Sequence, residues 1–214
     1  MPSPGWTNGY AADALAGARR ISADFRPPYL IAQLICVLAV LLAGCSSAPP
    51  LPDLGNVPAF ELTAEDGSPF RSAEALAGKV WVADFIFTNC PGPCPRMSSR
   101  MKSLQDALKG VEDFKLVSVT VDPDRDTAPV LAAYAKRFAA DTARWRFLTG
   151  TKEALRPVAF QAMHLSDLGP ALEHSTKFVL VDRKGRIRGY YDSTDSQGLR
   201  RLVDDSKRLI KERT

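Results

Sequence analysis

An α/β fold, with a mixed central sheet flanked by helices and a β-hairpin at its start, is predicted by three observations. Short apolar runs of strand length alternate with segments whose apolar residues recur at helical spacing. Ahead of them Glu65-Asp66-Gly67 joins two extended stretches, a strong turn signal. After them a second hairpin signal, Asp182-Arg183-Lys184-Gly185, leads into an amphipathic tail. Taken in order, residues 60–63 and 69–71 form the first hairpin and residues 80–87 an apolar strand. Residues 95–108 read as a helix with Met97, Met101, Leu104 and Leu108 on one face, methionines at that spacing being core rather than ligands. Residues 114–121 read as strand, and 127–138 as a helix presenting Val130, Leu131, Tyr134 and Phe138. A short strand follows at 145–148. Thr151 is the expected N-cap of a helix carrying Leu155, Val158 and Ala159, which Pro157 should bend or shorten. Strands at 178–181 and 187–191 flank the second turn, and 195–211 closes as a helix with Leu199, Leu202, Val203, Leu209 and Ile210 apolar.

The first 44 residues read as a targeting segment. Arg19, Arg20 and Arg26 precede an almost uninterrupted apolar stretch from Tyr29 to Ala43, followed at once by Gly44, Cys45 and Ser46. Leu42-Ala43-Gly44-Cys45 resembles the bacterial lipobox, which implies lipid modification of Cys45 and a mature chain that begins there. An uncleaved membrane anchor is the competing reading, but the stretch has about 15 residues where roughly 20 span a bilayer, and it contains Gln33. The expected organisation is therefore a lipoprotein-type signal peptide over 1–44, a stiff proline-rich tether over 45–56 and one folded domain over 57–214. The expected location is extracytoplasmic and membrane-anchored, on the periplasmic side in a diderm cell. Cleavage removes three basic and two acidic side chains, leaving 25 basic against 22 acidic residues, a net charge of about +3 that excludes a nucleic-acid binder.

The chemistry concentrates in Cys90-Pro91-Gly92-Pro93-Cys94-Pro95, two thiols four residues apart where a strand hands over to a helix. Cys36 lies in the discarded apolar stretch and Cys45 would carry lipid, so one close pair remains, which is not a disulfide scaffold. Pro95 suits a first helical turn, and the helix dipole favours a nearby thiolate with a lowered pKa. On adjacent turns the two alpha carbons would stand roughly 6 Å apart, so the thiols could bond each other or share one metal. Alternating strands and helices with a dithiol at the first strand-to-helix junction predict a thioredoxin-like fold. The spacer has three residues instead of the two of thioredoxin, and no proline lies between His174 and Asp182, which disfavours a general disulfide exchanger.

Two histidines are present. His174 directly precedes the strand at 178–181, on the edge where such a fold brings a loop over its cysteines, whereas His164 follows a helical stretch and reads as structural or exposed. Three stretches together resemble the Sco (Sco1/SenC) family over most of residues 57–211: Cys90-Pro91-Gly92-Pro93-Cys94-Pro95, the run from Ser118 to Thr127, and Glu173-His174-Ser175. Gly92 and Glu173 stand where that family commonly has aspartate, and the loop at 163–172 is short. The resemblance implies copper bound by Cys90, Cys94 and His174, and a role in assembling the copper A centre of cytochrome c oxidase. Its implied partners are the copper A subunit of the oxidase and a copper donor or thiol reductase. Two thiolates and an imidazole make a soft, low-coordinate site suited to Cu(I), while Cu(II) could use the same set with an added ligand. Zinc fits less well, since a closed fourth ligand is not evident.

The leading expectation is therefore an extracytoplasmic copper chaperone that delivers copper to the copper A site or prepares it. A membrane-tethered thiol-disulfide oxidoreductase with Cys90 and Cys94 as its redox-active dithiol, reducing partner cysteines or sensing redox state, is the alternative. A purely structural exported domain ranks behind both. The run Asp122-Pro123-Asp124-Arg125-Asp126 is not a calcium loop, because Thr127 and Ala133 occupy its glycine and closing glutamate positions; it reads as a turn and helix cap. Ala83 and Phe87 stand where a peroxiredoxin would carry its proline and threonine, so peroxidase chemistry is excluded.

Overall fold

The computed structural model describes residues 49–162 and 176–212, apart from an isolated Gln33. The chain divides after Pro49, and the body from Pro50 onward is built on one sheet. Its strands are β1 (Glu61–Ala64), β2 (Pro69–Arg71), β3 (Val80–Ile86), β4 (Phe114–Thr120), β5 (Trp145–Thr149), β6 (Lys177–Val181) and β7 (Ile187–Asp192), in the spatial order β2-β1-β5-β4-β3-β6-β7. β3, β4 and β5 are parallel, and β1 and β6 flank them antiparallel. The two hairpins, β1–β2 and β6–β7, form the edges. This is the mixed α/β, thioredoxin-like architecture that the alternation predicts.

Among the described residues five α-helices accompany these strands: α1 (Ser72–Ala75), α2 (Pro93–Ala107), α3 (Ala128–Arg137), α4 (Lys152–Pro157) and α5 (Ser196–Lys211). Thr151 caps α4 as expected, its hydroxyl accepting from the Ala154 amide at 3.2 Å. Pro157 has no amide to continue the regular ladder, and the chain goes on as a π turn over Val158–Ala162. Asp195 caps α5 by accepting from the Gln197 amide at 2.8 Å. Among the described residues no helix is long and apolar enough to cross a membrane.

β3 is buried along its whole length because it lies inside the sheet, with α2, α3 and α5 on one face and α4 and the turn after it on the other. Period-two alternation divides its side chains: Val80, Val82 and Ile86 join the core formed with α2, α3 and α5, while Trp81, Ala83 and Phe85 join the opposite one. Met97 and Met101 of α2 lie fully inside the first core, as their spacing predicts. Ahead of β1 the chain runs along the β6–β7 hairpin. Leu54 donates its amide to Ile187, Val57 donates to Gly185, and the Arg188 guanidinium donates to the carbonyls of Leu51 and Pro52.

One residue of β3 breaks the apolar pattern. Asp84 falls in phase with Val82 and Ile86 and so enters the α2-facing core, where it is wholly buried. Its cross-strand neighbour Ser118 donates to Oδ1 at 2.6 Å, and Trp145 donates its indole N–H to the Ser118 oxygen at 2.9 Å. Oδ2 has no hydrogen-bond partner among the described residues. Burial pushes the Asp84 carboxyl up to about 7, against the opposing pull of Ser118 and its own backbone. In the unfolded chain the group titrates near 3.8, so between about pH 4 and pH 7 the fold keeps a proton that the open chain loses. Its contribution to stability is present below pH 4 and declines as pH rises, by a few kcal/mol at most. Denaturant titration of Asp84→Asn should show a flatter pH profile over that window and a gain of about 1–3 kcal/mol at pH 8; parallel profiles for the two proteins would remove the buried ionisation as their cause.

Candidate metal centre

The centre begins where β3 ends. Residues 87–92 form a short loop and α2 starts at Pro93, two residues earlier than the sequence suggests, because proline's fixed φ suits the first helical position as well as the third. Cys94 is therefore the second residue of the helix, and Cys90 lies outside it, four residues upstream. A helix start leaves its first amides without internal partners. Here Pro93 and Pro95 have no amide proton, so among residues 92–95 only Gly92 and Cys94 retain donors. The Cys94 amide donates to the Cys90 sulfur from 3.5 Å, and the Cys90 amide closes the loop on the Phe87 carbonyl at 3.3 Å.

These placements make the two thiols unequal. Both are free and both belong to the α2-facing core. Burial acts to raise the Cys90 thiol, but the amides of Cys94 and Gly92, the Cys94 thiol and the Arg96 guanidinium outweigh it and hold the group below the ordinary cysteine value. Burial pushes the Cys94 thiol up to about 12; the Phe87 amide opposes this, while the Cys90 sulfur and Asp84 add to it. Cys90 is thus the more readily ionised thiol and Cys94 the one that holds its proton. The space into which a Gly92 side chain would project is open, so the aspartate common there in the resembling family would find room.

The expected third ligand, His174, lies outside the described residues, as do His164 and the lipidation candidate Cys45. Among the described residues no group of three or more histidine, cysteine, aspartate or glutamate side chains is arranged to hold a metal. What the described body brings together is a pair of sulfur donors with no carboxylate ligand beside them, a donor set that suits a soft cation and gives zinc too few ligands.

Sequence reasoning missed a tie behind this loop. The stretch from Asp122 forms the expected turn, with the amides of Arg125 and Asp126 on the Asp122 carbonyl. Thr127 occupies the N-cap position of α3, yet its side chain makes no capping bond. Asp126 is instead buried, 1% exposed, and accepts from the Thr88 amide at 3.0 Å and from the hydroxyls of Thr88 and Thr120 at 2.5 Å each. Only the parallel register of β3 on β4, which sets Ile86 opposite Thr120, brings these residues together. No local spacing announces that meeting.

A free thiol pair at the junction of a central parallel strand and its helix, on this mixed sheet, gives the chain a thioredoxin-like fold. A model of the SCO1/SenC family matches residues 52–211, and the chain belongs to that family. Among solved structures, a SCO1/SenC family lipoprotein from Bacillus anthracis str. Ames is similar with a TM-score of 0.66 and 33% identity, over 76% of this chain and 100% of its own. BsSco, a member of the Sco family of cytochrome c oxidase assembly proteins in which a disulfide switch has been identified, gives 0.65 and 28% over 76% and 98%. ScoI of Bradyrhizobium japonicum with copper bound shares the fold, with a TM-score of 0.59 and 21% identity over 72% and 99%.

The inequality of the thiols is directly measurable. Alkylation followed by peptide mapping should label Cys90 first, with a rate midpoint below the usual cysteine value, while Cys94 resists throughout the neutral range. Equal labelling of the two, or Cys94 first, would contradict the arrangement of amides described above.

Proposed function

We propose that this chain carries copper outside the cytoplasm for cytochrome c oxidase assembly, delivering it to the copper A site or preparing that site. The observation that carries this reading is the unequal thiol pair at the start of α2 in a chain of the SCO1/SenC family. Cys90 and Cys94 supply two thiolates, and His174 completes the set by the family pattern. Copper is cargo here, and binding it displaces the Cys94 proton. A site with few protein ligands leaves a position open through which an acceptor's own ligands can enter, so transfer can proceed by ligand exchange. Copper-bound ScoI has the same fold, and BsSco belongs to an oxidase-assembly family; both support the assignment.

The same inequality favours a second use of the pair. The Cys90 thiolate can attack a partner disulfide to form a mixed disulfide; Cys94 then loses its proton and attacks the Cys90 sulfur, releasing the partner as a dithiol. Two electrons and two protons pass to the partner, whose cysteines are then ready for metal. Delivery and thiol preparation are compatible steps at one site.

We further propose the lipoprotein organisation: a signal over 1–44, lipid on Cys45, and membrane anchorage on the extracytoplasmic side. The B. anthracis relative is itself a lipoprotein, which supports this reading.

One complementation experiment separates these parts. Cells lacking the chain should assemble less copper A when copper is limiting, and the wild-type chain should restore it. His174→Ala should fail to restore it, and the purified variant should bind copper at least ten-fold more weakly. Cys45→Ser should keep wild-type copper affinity yet move from the membrane to the soluble fraction. Unchanged copper A in the deletion strain would count against delivery, and unchanged copper affinity in His174→Ala would remove that ligand.

A further inference from the structure

We infer that Asp126 is a positioning residue for the thiol pair, acting through Thr88 to fix the loop that carries Cys90. Three donors converge on this buried carboxylate, and two of them, an amide and a hydroxyl, come from Thr88, two positions before Cys90. The carbonyl of the same peptide, that of Phe87, accepts from the Cys90 amide at 3.3 Å. Both ends of the Phe87–Thr88 peptide are thus hydrogen-bonded, one to a buried carboxylate and the other to the backbone of Cys90, so that peptide has little freedom to rotate. Hydrogen bonds to an ionised acceptor are shorter and stronger than neutral ones, which suits a carboxylate to this clamp.

The clamp is itself braced. Val121 donates its amide to the Ile86 carbonyl at 2.9 Å, joining the ends of β3 and β4. Thr120 donates its hydroxyl to Asp126 and accepts from the Asp122 amide at 3.0 Å, and the Asp126 amide returns to the Asp122 carbonyl at 2.9 Å. The loop from Val121 to Thr127 thereby serves as a buttress behind the thiols as well as a lead into α3. A residue that merely capped the helix would have no need of Thr88. The separation and approach of two sulfurs determine how well they close on each other or on one ion, so a loosened loop should weaken both outcomes.

The inference rests on the proposed copper site for one of its two readouts only. The full chain is compared with Asp126→Ala, Asp126→Asn, Thr88→Val, Thr88→Ser and, as a control outside the clamp, Thr151→Ala, which removes the cap of α4. The first readout is equilibration with dithiothreitol, in which the Cys90–Cys94 bond forms as two electrons and two protons pass to oxidised dithiothreitol. The second is Cu(I) affinity by competition with bicinchoninate. Both Asp126 variants should lower the disulfide-formation constant and the Cu(I) affinity about ten-fold, and Thr88→Val should lower them several-fold. Thr88→Ser should return both to within two-fold, and Thr88→Val combined with Asp126→Ala should add nothing to Asp126→Ala alone. Thr151→Ala should lower the melting temperature while leaving both constants within two-fold. Lower melting temperatures with both constants unchanged across the Asp126 and Thr88 variants would overturn the inference, leaving Asp126 a fold-stabilising residue only. Should Asp126→Ala fail to fold, the Thr88→Val and Thr88→Ser pair decides in its place. A wild-type chain that binds no Cu(I) would end the copper reading, yet the dithiothreitol equilibrium would still decide the role of Asp126.

Discussion

Everything around the thiols follows from one requirement: the backbone between β3 and α2 must satisfy its own polar groups while holding two sulfurs inside the core. A buried amide without an acceptor is expensive, and this loop has few acceptors of its own. The solution is that sulfur and carboxylate take the place of carbonyl oxygens. Thr88 donates to Asp126, Cys90 to the Phe87 carbonyl, and Cys94 to the Cys90 sulfur. The Cys90 sulfur is therefore a structural member of the loop. The inequality of the two thiols is a by-product of how many donors each one collects and how deeply each is buried.

The sheet makes that loop possible and also complicates it. Parallel β3, β4 and β5 bring the loops after β3 and β4 to one end, where Asp126 can reach Thr88. The α2-facing side of the same strands carries Asp84 and Ser118 in place of apolar residues, so the core beneath Cys94 contains a carboxyl with one unsatisfied oxygen. Nothing in the packing of Val82 and Ile86 requires it. An apolar residue there would make a better core, and Asp84 adds to the field that keeps the Cys94 proton in place. The departure from core logic sits directly under the chemistry, where local rules are commonly broken.

Much of this was legible in the residues alone, and the exceptions share a cause. Strand and helix alternation, the two hairpin turns, the Thr151 cap and the burial of Met97 and Met101 all follow from periodicity and local turn chemistry. The dithiol stood out because its spacing and its prolines are local. The start of α2 shifted by two residues because Pro93 and Pro95 both satisfy the rule for a first turn, and only the loop's need to turn decides between them. Asp126 read as part of a cap because its nearest neighbours in sequence suggest one, while its actual partner lies 38 residues away. Asp84 passed unnoticed inside an apolar run, since a single polar residue in a buried strand shows its significance only once the cross-strand register pairs it with Ser118. Long-range pairing is the information that one-dimensional patterns do not carry.

The three-residue spacer acquires a physical meaning in this setting. With Cys94 as the second helical residue, a partner three positions back would fall at Pro91, immediately before the N-cap, whereas Cys90 is set one residue further out in the loop. From there its sulfur lies across the open end of α2 and collects the two amides that the prolines at 93 and 95 leave available. It thus performs the service that a serine or aspartate cap performs elsewhere, with a soft atom in place of an oxygen. A thiolate in that position is stabilised by the positive end of the helix while remaining on its outer side, next to the loop and not within the first turn. The Cys94 thiol reaches the same sulfur, so the two thiols already face each other at the start of the helix.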